Sequence, residues 1–248
     1  MKIRAWLLVS PLLLAACAST PKPPENPACA GFDTARSDPR AIAIADEVMK
    51  AMGGRAAWDG TRCLRWTFAG RRSHLWDKQT GDLRFEDGQR VVLMNVASGQ
   101  GRVFEGGAEV SNDADKKRKL LDDAYKAWVN DSYWLVAPYK LKDNGVTLTH
   151  AGVRALADGR PADVLRLQFQ GVGVTPDNAY EMYVGQDTHL VEQWSYFKHR
   201  DDAQPAMTTP WAGWKRYGGI LLASDHGKGP ATTDIAVFDV PPPALTKP

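Results

Sequence analysis

The residues able to do chemistry are few and poorly grouped. The five histidines are His74, His150, His189, His199 and His226, and none belongs to an HExxH or HxH arrangement. His189, Glu192 and His199 come nearest to a metal set. On one strand the two histidines share a face and Glu192 takes the other. Ordinary strand rise then separates the histidines by roughly 33 Å. Without a sharp bend they share no metal, so none is expected. A Ser/His/Asp set has no GxSxG elbow to nominate its serine. Asp122-Asp123 and Asp201-Asp202 are adjacent carboxylates that mostly point apart, as surface or turn residues do. Gly171-Val172-Gly173 lacks the third glycine and the helix of a dinucleotide loop. Catalysis has no positive signal, and no cofactor is expected. An enclosed Asp131, Asp143 or Glu181 with a raised pKa would be the mark of an unrecognised hydrolase or isomerase.

The three cysteines divide into two kinds. Cys17 closes the run Leu14-Ala15-Ala16-Cys17, which resembles a bacterial lipobox. Residues 1–16 ahead of it read as an export signal: Lys2 and Arg4 are basic, Trp6–Val9 and Leu12–Leu14 are apolar, and small residues follow. The resemblance implies lipid on the Cys17 thiol, cleavage before it and acylation of the new amino group. Several acyl chains hold a protein to a membrane where one does not. Ala18, rather than Asp, follows Cys17, and by analogy with enterobacterial sorting this favours the outer membrane, facing the periplasm. Cys29 and Cys63 remain. An oxidising compartment permits their bridging. Closing that 34-residue loop would stabilise the fold by roughly 4 kcal/mol. A Cys29–Cys63 disulfide is therefore expected, with two buried thiols as the alternative.

The elements that must position these groups follow from composition and period. Of 248 residues, 44% are hydrophobic and 24% charged, as in globular domains. Basic residues number 31 and acidic 29, and the leader's Lys2 and Arg4 account for the excess. A neutral mature chain lacks the dense positive face of a nucleic-acid binder. Residues 17–36 read as the lipidated cysteine and a flexible tether, proline-rich up to Pro27. Residues 37–248 read as one domain. Asp38-Pro39 predicts a helix start, the stripe Ala41, Ala45, Val48, Met52 a buried face, and Gly53-Gly54 a stop. From Thr61 the period becomes two, with Leu64, Trp66 and Phe68 on one face. Further strands are expected at 82–86, 90–96, 102–105, 146–151, 164–169, 180–184, 190–197, 214–223 and 234–240, with a hairpin turn at Asp87-Gly88. Residues 113–130 interrupt them as an amphipathic helix whose Lys116–Lys119 run is a solvated face.

Aromatic residues are the informative feature. The chain has nine tryptophans, all but Trp6 in its mature part. Tyr180, Met182, Val184 and then Trp194, Tyr196 alternate along two strands. Such a row is either a filled core or the apolar lining of a cavity, and period does not separate the two.

Trp128–Leu135, Pro138–Val146, Gly171–Asn178, Tyr180–Val184, Leu190–Phe197 and Pro210–Trp214 together resemble a group of uncharacterised exported bacterial proteins related to the LolA/LolB-like lipoprotein-carrier superfamily. The likeness spans about residues 41–240. It implies a mainly β, α+β fold: a curved, unclosed antiparallel half-barrel, with the N-terminal helix and the inserted helix covering its concave face. It also implies a concave face that binds acyl chains. On that basis the chain is expected to be a non-enzymatic envelope lipoprotein holding a lipid or other hydrophobic ligand, lined by Trp66, Phe68, Trp134, Tyr180, Met182, Trp194 and Tyr196. The alternative is a structural lipoprotein whose core is self-filled and which docks a protein partner.

Overall fold

The computed structural model describes residues 25–248; the export signal and the Cys17 lipidation site lie outside the described residues. Two curved antiparallel sheets, not closed into a barrel, make the body of the fold, with helices against their inner faces. Helix α1 spans Pro39–Ala51. Asp38 caps it by accepting from the Arg40 amide at 2.8 Å, and Pro39, which has no amide hydrogen to lose, starts it. Ala41, Ala45, Val48 and Met52 are buried, as the 3.6-residue period predicts. Gly53 ends the helix at φ +112°, and a Cβ there would lie 2.2 Å from the Gly219 carbonyl oxygen, so only glycine fits. A short helix α2, Arg55–Gly60, follows.

The first sheet contains β1 (Cys63–Phe68), β2 (Arg72–Asp77), β3 (Asp82–Asp87), β4 (Arg90–Asn95), β5 (Gly101–Glu105) and β6 (Ala108–Glu109) as a meander. The last strand of the chain, β14 (Thr232–Phe238), returns to pair antiparallel with β1. The second sheet contains β7 (Val146–Ala155), β8 (Pro161–Phe169), β9 (Ala179–Gly185), β10 (Val191–Phe197) and β11 (Met207–Pro210) in sequence order. Strands β12 (Lys215–Tyr217) and β13 (Ile220–Leu222) form a separate hairpin. The single strand expected at 214–223 is broken there because Gly218, at φ +58°, reverses the chain.

Helix α3 spans Ala114–Val136, six residues beyond its expected end, and joins the two sheets. Its N-terminal half sets Leu120, Leu121 and Ala124 against Leu83, Phe85, Val92, Met94 and Val103 of the first sheet. Its C-terminal half sends Trp134, Leu135 and Val136 into the larger core shared by both sheets. The charged run faces solvent in local pairs: Arg118 with Asp115, Lys119 with Asp123 and Lys116 with Glu105.

Residues 26–36, expected to belong to the tether, instead pack on the domain. Phe32 is buried in the main core, and the amides of Cys29, Asp33 and Asp38 donate to the Lys142, Val146 and Leu148 carbonyls. The buried Phe32 ring and these backbone hydrogen bonds together hold the segment against the domain.

One polar contact fixes α3 across the first sheet. Asp131, fully buried, accepts from Arg72 Nε (2.7 Å) and Nη2 (2.6 Å), from His74 Nε2 (2.8 Å) and from Asn130 Nδ2 (2.9 Å). Burial alone would push its carboxyl up. The His74, Arg72 and Asn130 hydrogen bonds outweigh burial and hold it below its ordinary value. Burial pushes His74 down against the pull of Asp131, so the ring is neutral with its Nε2–H donating. Burial likewise pushes His226 down.

Two outcomes follow from this network. Asp131→Ala leaves a guanidinium and an imidazole without their anion and should cost about 3 kcal/mol or more, read as a lower urea midpoint. Both histidines bind protons less well folded than unfolded, so stability should fall as pH drops below about 6.5, and the Asp131 contribution should go only below about 3.8. His226→Phe should flatten the loss of melting temperature between about pH 7 and pH 5; an unchanged slope would show that His226 does not titrate there.

Candidate functional site

Strand register decides which aromatic side chains meet. Across the second sheet, Leu167, Tyr180, Tyr196 and Met207 stand opposite one another in one row, and Leu165, Met182, Trp194 and Thr209 in the next. Side chains of both rows point to the inner face. The Leu165–Met182 row lies deep: Leu165 and Met182 are fully buried. The Tyr180–Tyr196 row lies toward one end, where the C-terminal half of α3 crosses.

Between them is a cavity of about 420 Å³. Helix α3 contributes Lys126, Val129, Asn130, Tyr133 and Trp134. The strands contribute Phe169, Tyr180, Trp194, Tyr196 and Met207. The β8–β9 loop contributes Val172–Thr175 and Asn178. Six aromatic residues are thus among the fifteen that line it. They brace one another: Tyr180 stacks on Trp194 at 4.9 Å, Trp134 meets Trp194 edge-on at 4.7 Å, and Tyr133 leans on Tyr180 at 5.3 Å. Behind the wall, Trp211 and His226 continue the packing from Trp194 and Trp134.

The loop over the cavity turns at Gly171 and Gly173, both at positive φ. Asp177 holds it down, accepting from His199 Nδ1 (2.7 Å) and Arg200 Nε (3.2 Å), while Arg200 Nη2 reaches the Pro176 carbonyl at 3.1 Å. Inside, Asn178 donates to Thr175 Oγ1 at 2.7 Å. Burial pushes the Tyr133 phenol well above its ordinary value and raises Tyr180 too, so both hydroxyls stay protonated. The Tyr133 hydroxyl and the Trp194 indole N–H have no hydrogen-bond partner among the described residues.

Of the seven side chains expected to line a ligand space, Trp134, Tyr180, Trp194 and Tyr196 border the cavity. Trp66, Phe68 and Met182 do not: they are core. Trp66 stacks on His74 at 4.5 Å, Phe68 leans on Trp134 at 6.3 Å, and Met182 sits one row deeper. Sequence reasoning missed Tyr133, Phe169, Met207 and the loop, although Tyr133 adjoins Trp134 in the chain and the Gly171–Asn178 run stood out as a motif.

The carboxylates that would mark an acid catalyst lie elsewhere. Asp131 is shifted down, not up, and serves as the anion of a buried pair. Glu181 is paired with Arg154 and Arg166, and Asp143 with Lys140. No Asp or Glu among the described residues borders the cavity. Among the described residues no group of His, Cys, Asp and Glu has the arrangement to hold a metal ion.

The expected Cys29–Cys63 disulfide is not formed; both thiols are free. The folded chain holds them in different settings. Cys29 is half-buried beside Asp143, to which its thiol donates at 3.6 Å. Cys63 is fully buried with Leu75 and Leu245, under the C-terminal segment.

No family model matches the sequence, and no curated protein matches it. Solved structures with some likeness include a DUF1329 family protein from Desulfovibrio piger, with a TM-score of 0.40, 12% identity, and coverage of 81% of this chain and 94% of that one. They also include MucB, with a TM-score of 0.24, 17% identity, and coverage of 64% and 53%. The MucA/MucB complex of Pseudomonas aeruginosa gives 0.25, 17%, 64% and 51%. The chain thus matches about half the length of MucB, and scores this low carry no argument about function.

The thiols give a direct check of the packing. Burial pushes Cys63 up to about 11 and also raises Cys29. Maleimide added to the native protein near neutral pH should modify Cys29 slowly and Cys63 only after denaturation. Recovery of a Cys29–Cys63 disulfide peptide from unreduced protein would contradict this packing.

Proposed function

We propose that the chain is a non-enzymatic envelope lipoprotein that holds one hydrophobic ligand in the aromatic cavity between α3 and the second sheet. The cavity is the observation that carries this reading. Its volume of about 420 Å³ lies within the range of roughly 300–1,000 Å³ typical of small-molecule sites, and its wall is largely apolar, with six aromatic residues and a few polar groups. The likeness of the sequence to the LolA/LolB-like carriers supports a lipid or acyl chain as the ligand. The lipobox-like run ending at Cys17 supports an acylated anchor, and Ala18 supports the outer membrane, with the domain facing the periplasm.

A second reading is a lipoprotein that docks a protein partner. One observation favours it: among the described residues β11 ends the second sheet and pairs with β10 alone, and an end strand is a place where another chain can add.

The deciding experiment is native mass spectrometry of the full-length protein taken from envelope membranes, followed by organic extraction. One lipid per chain is the expected result. Tyr196→Ala, at a half-buried cavity position, should release most of that lipid while shifting the melting temperature little. Trp66→Ala, in the core, should cost about 3–5 kcal/mol of stability. A protein that comes off bare, and stays bare after incubation with envelope lipids, would leave the partner-docking reading.

A further inference from the structure

The cavity has a polarity that narrows the ligand. Among the described residues, Lys126 is the only charged one on its lining, and no carboxylate is part of that lining. Thr175 Oγ1 accepts from Asn178 Nδ2, which leaves the threonine O–H free to donate. Trp134, Trp194 and Phe169 add mostly ring carbon to the rest of the lining. At about 30 Å³ for each water-sized group, 420 Å³ holds roughly fourteen, enough for one chain and too few for a diacyl lipid.

Resting on the ligand-holding reading above, the geometry points to a single-chain anionic amphiphile whose head sits at Lys126 and Thr175 and whose tail runs between the rings. A cationic head is the competing chemistry, because aromatic faces attract ammonium groups. Here the faces of Tyr180 and Trp194 are spent on each other, and Lys126 repels a second cation. The carboxylates near Lys126 lie on its own helix, not in the cavity: Asp122 pairs with it at 2.6 Å and Asp123 acts at longer range. An ammonium has three donors, so Lys126 can keep Asp122 and take an anionic head, with Asp122 competing for the charge.

The test uses the full-length protein loaded with the neutral reporter N-phenyl-1-naphthylamine, displaced at low salt by twelve-carbon chains below their micelle concentrations. Laurate should displace it about fivefold more effectively than dodecanol, the size of an exposed ion pair. The ratio should shrink in high salt. Lys126→Gln should bring it near one, Lys126→Arg should keep it, and Asp122→Asn should widen it. Dodecyl phosphate, measured beside laurate, shows which anionic head is preferred; either one ahead of dodecanol supports the assignment. Dodecanol or dodecyltrimethylammonium competing as well as laurate, or a ratio unmoved by Lys126→Gln, would overturn it while leaving a ligand-holding cavity. If neither the reporter nor any chain binds, the ligand-holding reading fails and this one falls with it.

Discussion

A single buried carboxylate decides where everything near the cavity stands. Asp131 lies inside the protein and is tolerated there because Arg72, His74 and Asn130 satisfy it from two elements. The pairing is directional, unlike apolar contact. Leu120, Leu121 and Ala124 would let α3 slide or roll on the first sheet for small changes in buried area. The forked guanidinium on Asp131 allows one position. Two and three residues further on, Tyr133 and Trp134 are then carried to the second sheet. The cavity is thus located by a contact made on the opposite sheet.

The space itself comes from the failure of the two sheets to close. Strands β7–β11 and β1–β6 curve toward each other, and α1 and α3 fill much of what lies between. Helix α1 packs on the main core through Ala41, Ala45, Val48, Met49 and Met52. Helix α3 reaches the end of the second sheet with bulky rings, which meet other rings before they can fill the gap. The β8–β9 loop covers the remaining side, held by Asp177 on His199 and Arg200 rather than by core packing. Exposed ion pairs of this kind are weak, so this wall yields more readily than the strands.

Most of the architecture was legible because it rests on period. The Asp38-Pro39 start, the stripe of α1, the Gly53 stop and the alternation in β1, β3, β4, β9 and β10 were all visible in residue types. Strand β2 was not, and the reason is the Asp131 site. Its inward residues are Arg72, His74 and Trp76, two of them polar, and the other face carries Ser73, Leu75 and Asp77, so the alternation of apolar inside and polar outside is lost where the fold places its buried ion pair. Residues 26–36 misled for a different reason: Pro27 and a run of small residues concealed one buried Phe32. The lining set was half legible. Alternation showed that Tyr180, Met182, Trp194 and Tyr196 share a face, but only cross-strand register tells which row is deep. The disulfide was argued from compartment and cysteine count. The fold instead buries Cys63 beneath Leu245 and turns Cys29 toward Asp143, contacts that arise from the C-terminal segment and the turn after α3.

The choice of rings over aliphatic chains around this cavity has a physical consequence. A void lined by leucine or methionine tends to shrink, because flexible side chains move into it to recover lost contacts. Tryptophan and tyrosine have two side-chain torsions and cannot follow. Here each ring is further blocked by the next: Trp134 abuts Trp194, Trp194 stacks on Tyr180, Tyr180 meets Tyr133, and Trp211 and His226 close the rear. The Trp194 and Trp211 indoles are without hydrogen-bond partners among the described residues, a polar cost that a filled aliphatic core would avoid. A protein that needed only stability would gain by replacing these groups. The rings border the open space, and Asp131 supplies the fixed helix against which that ring assembly is braced.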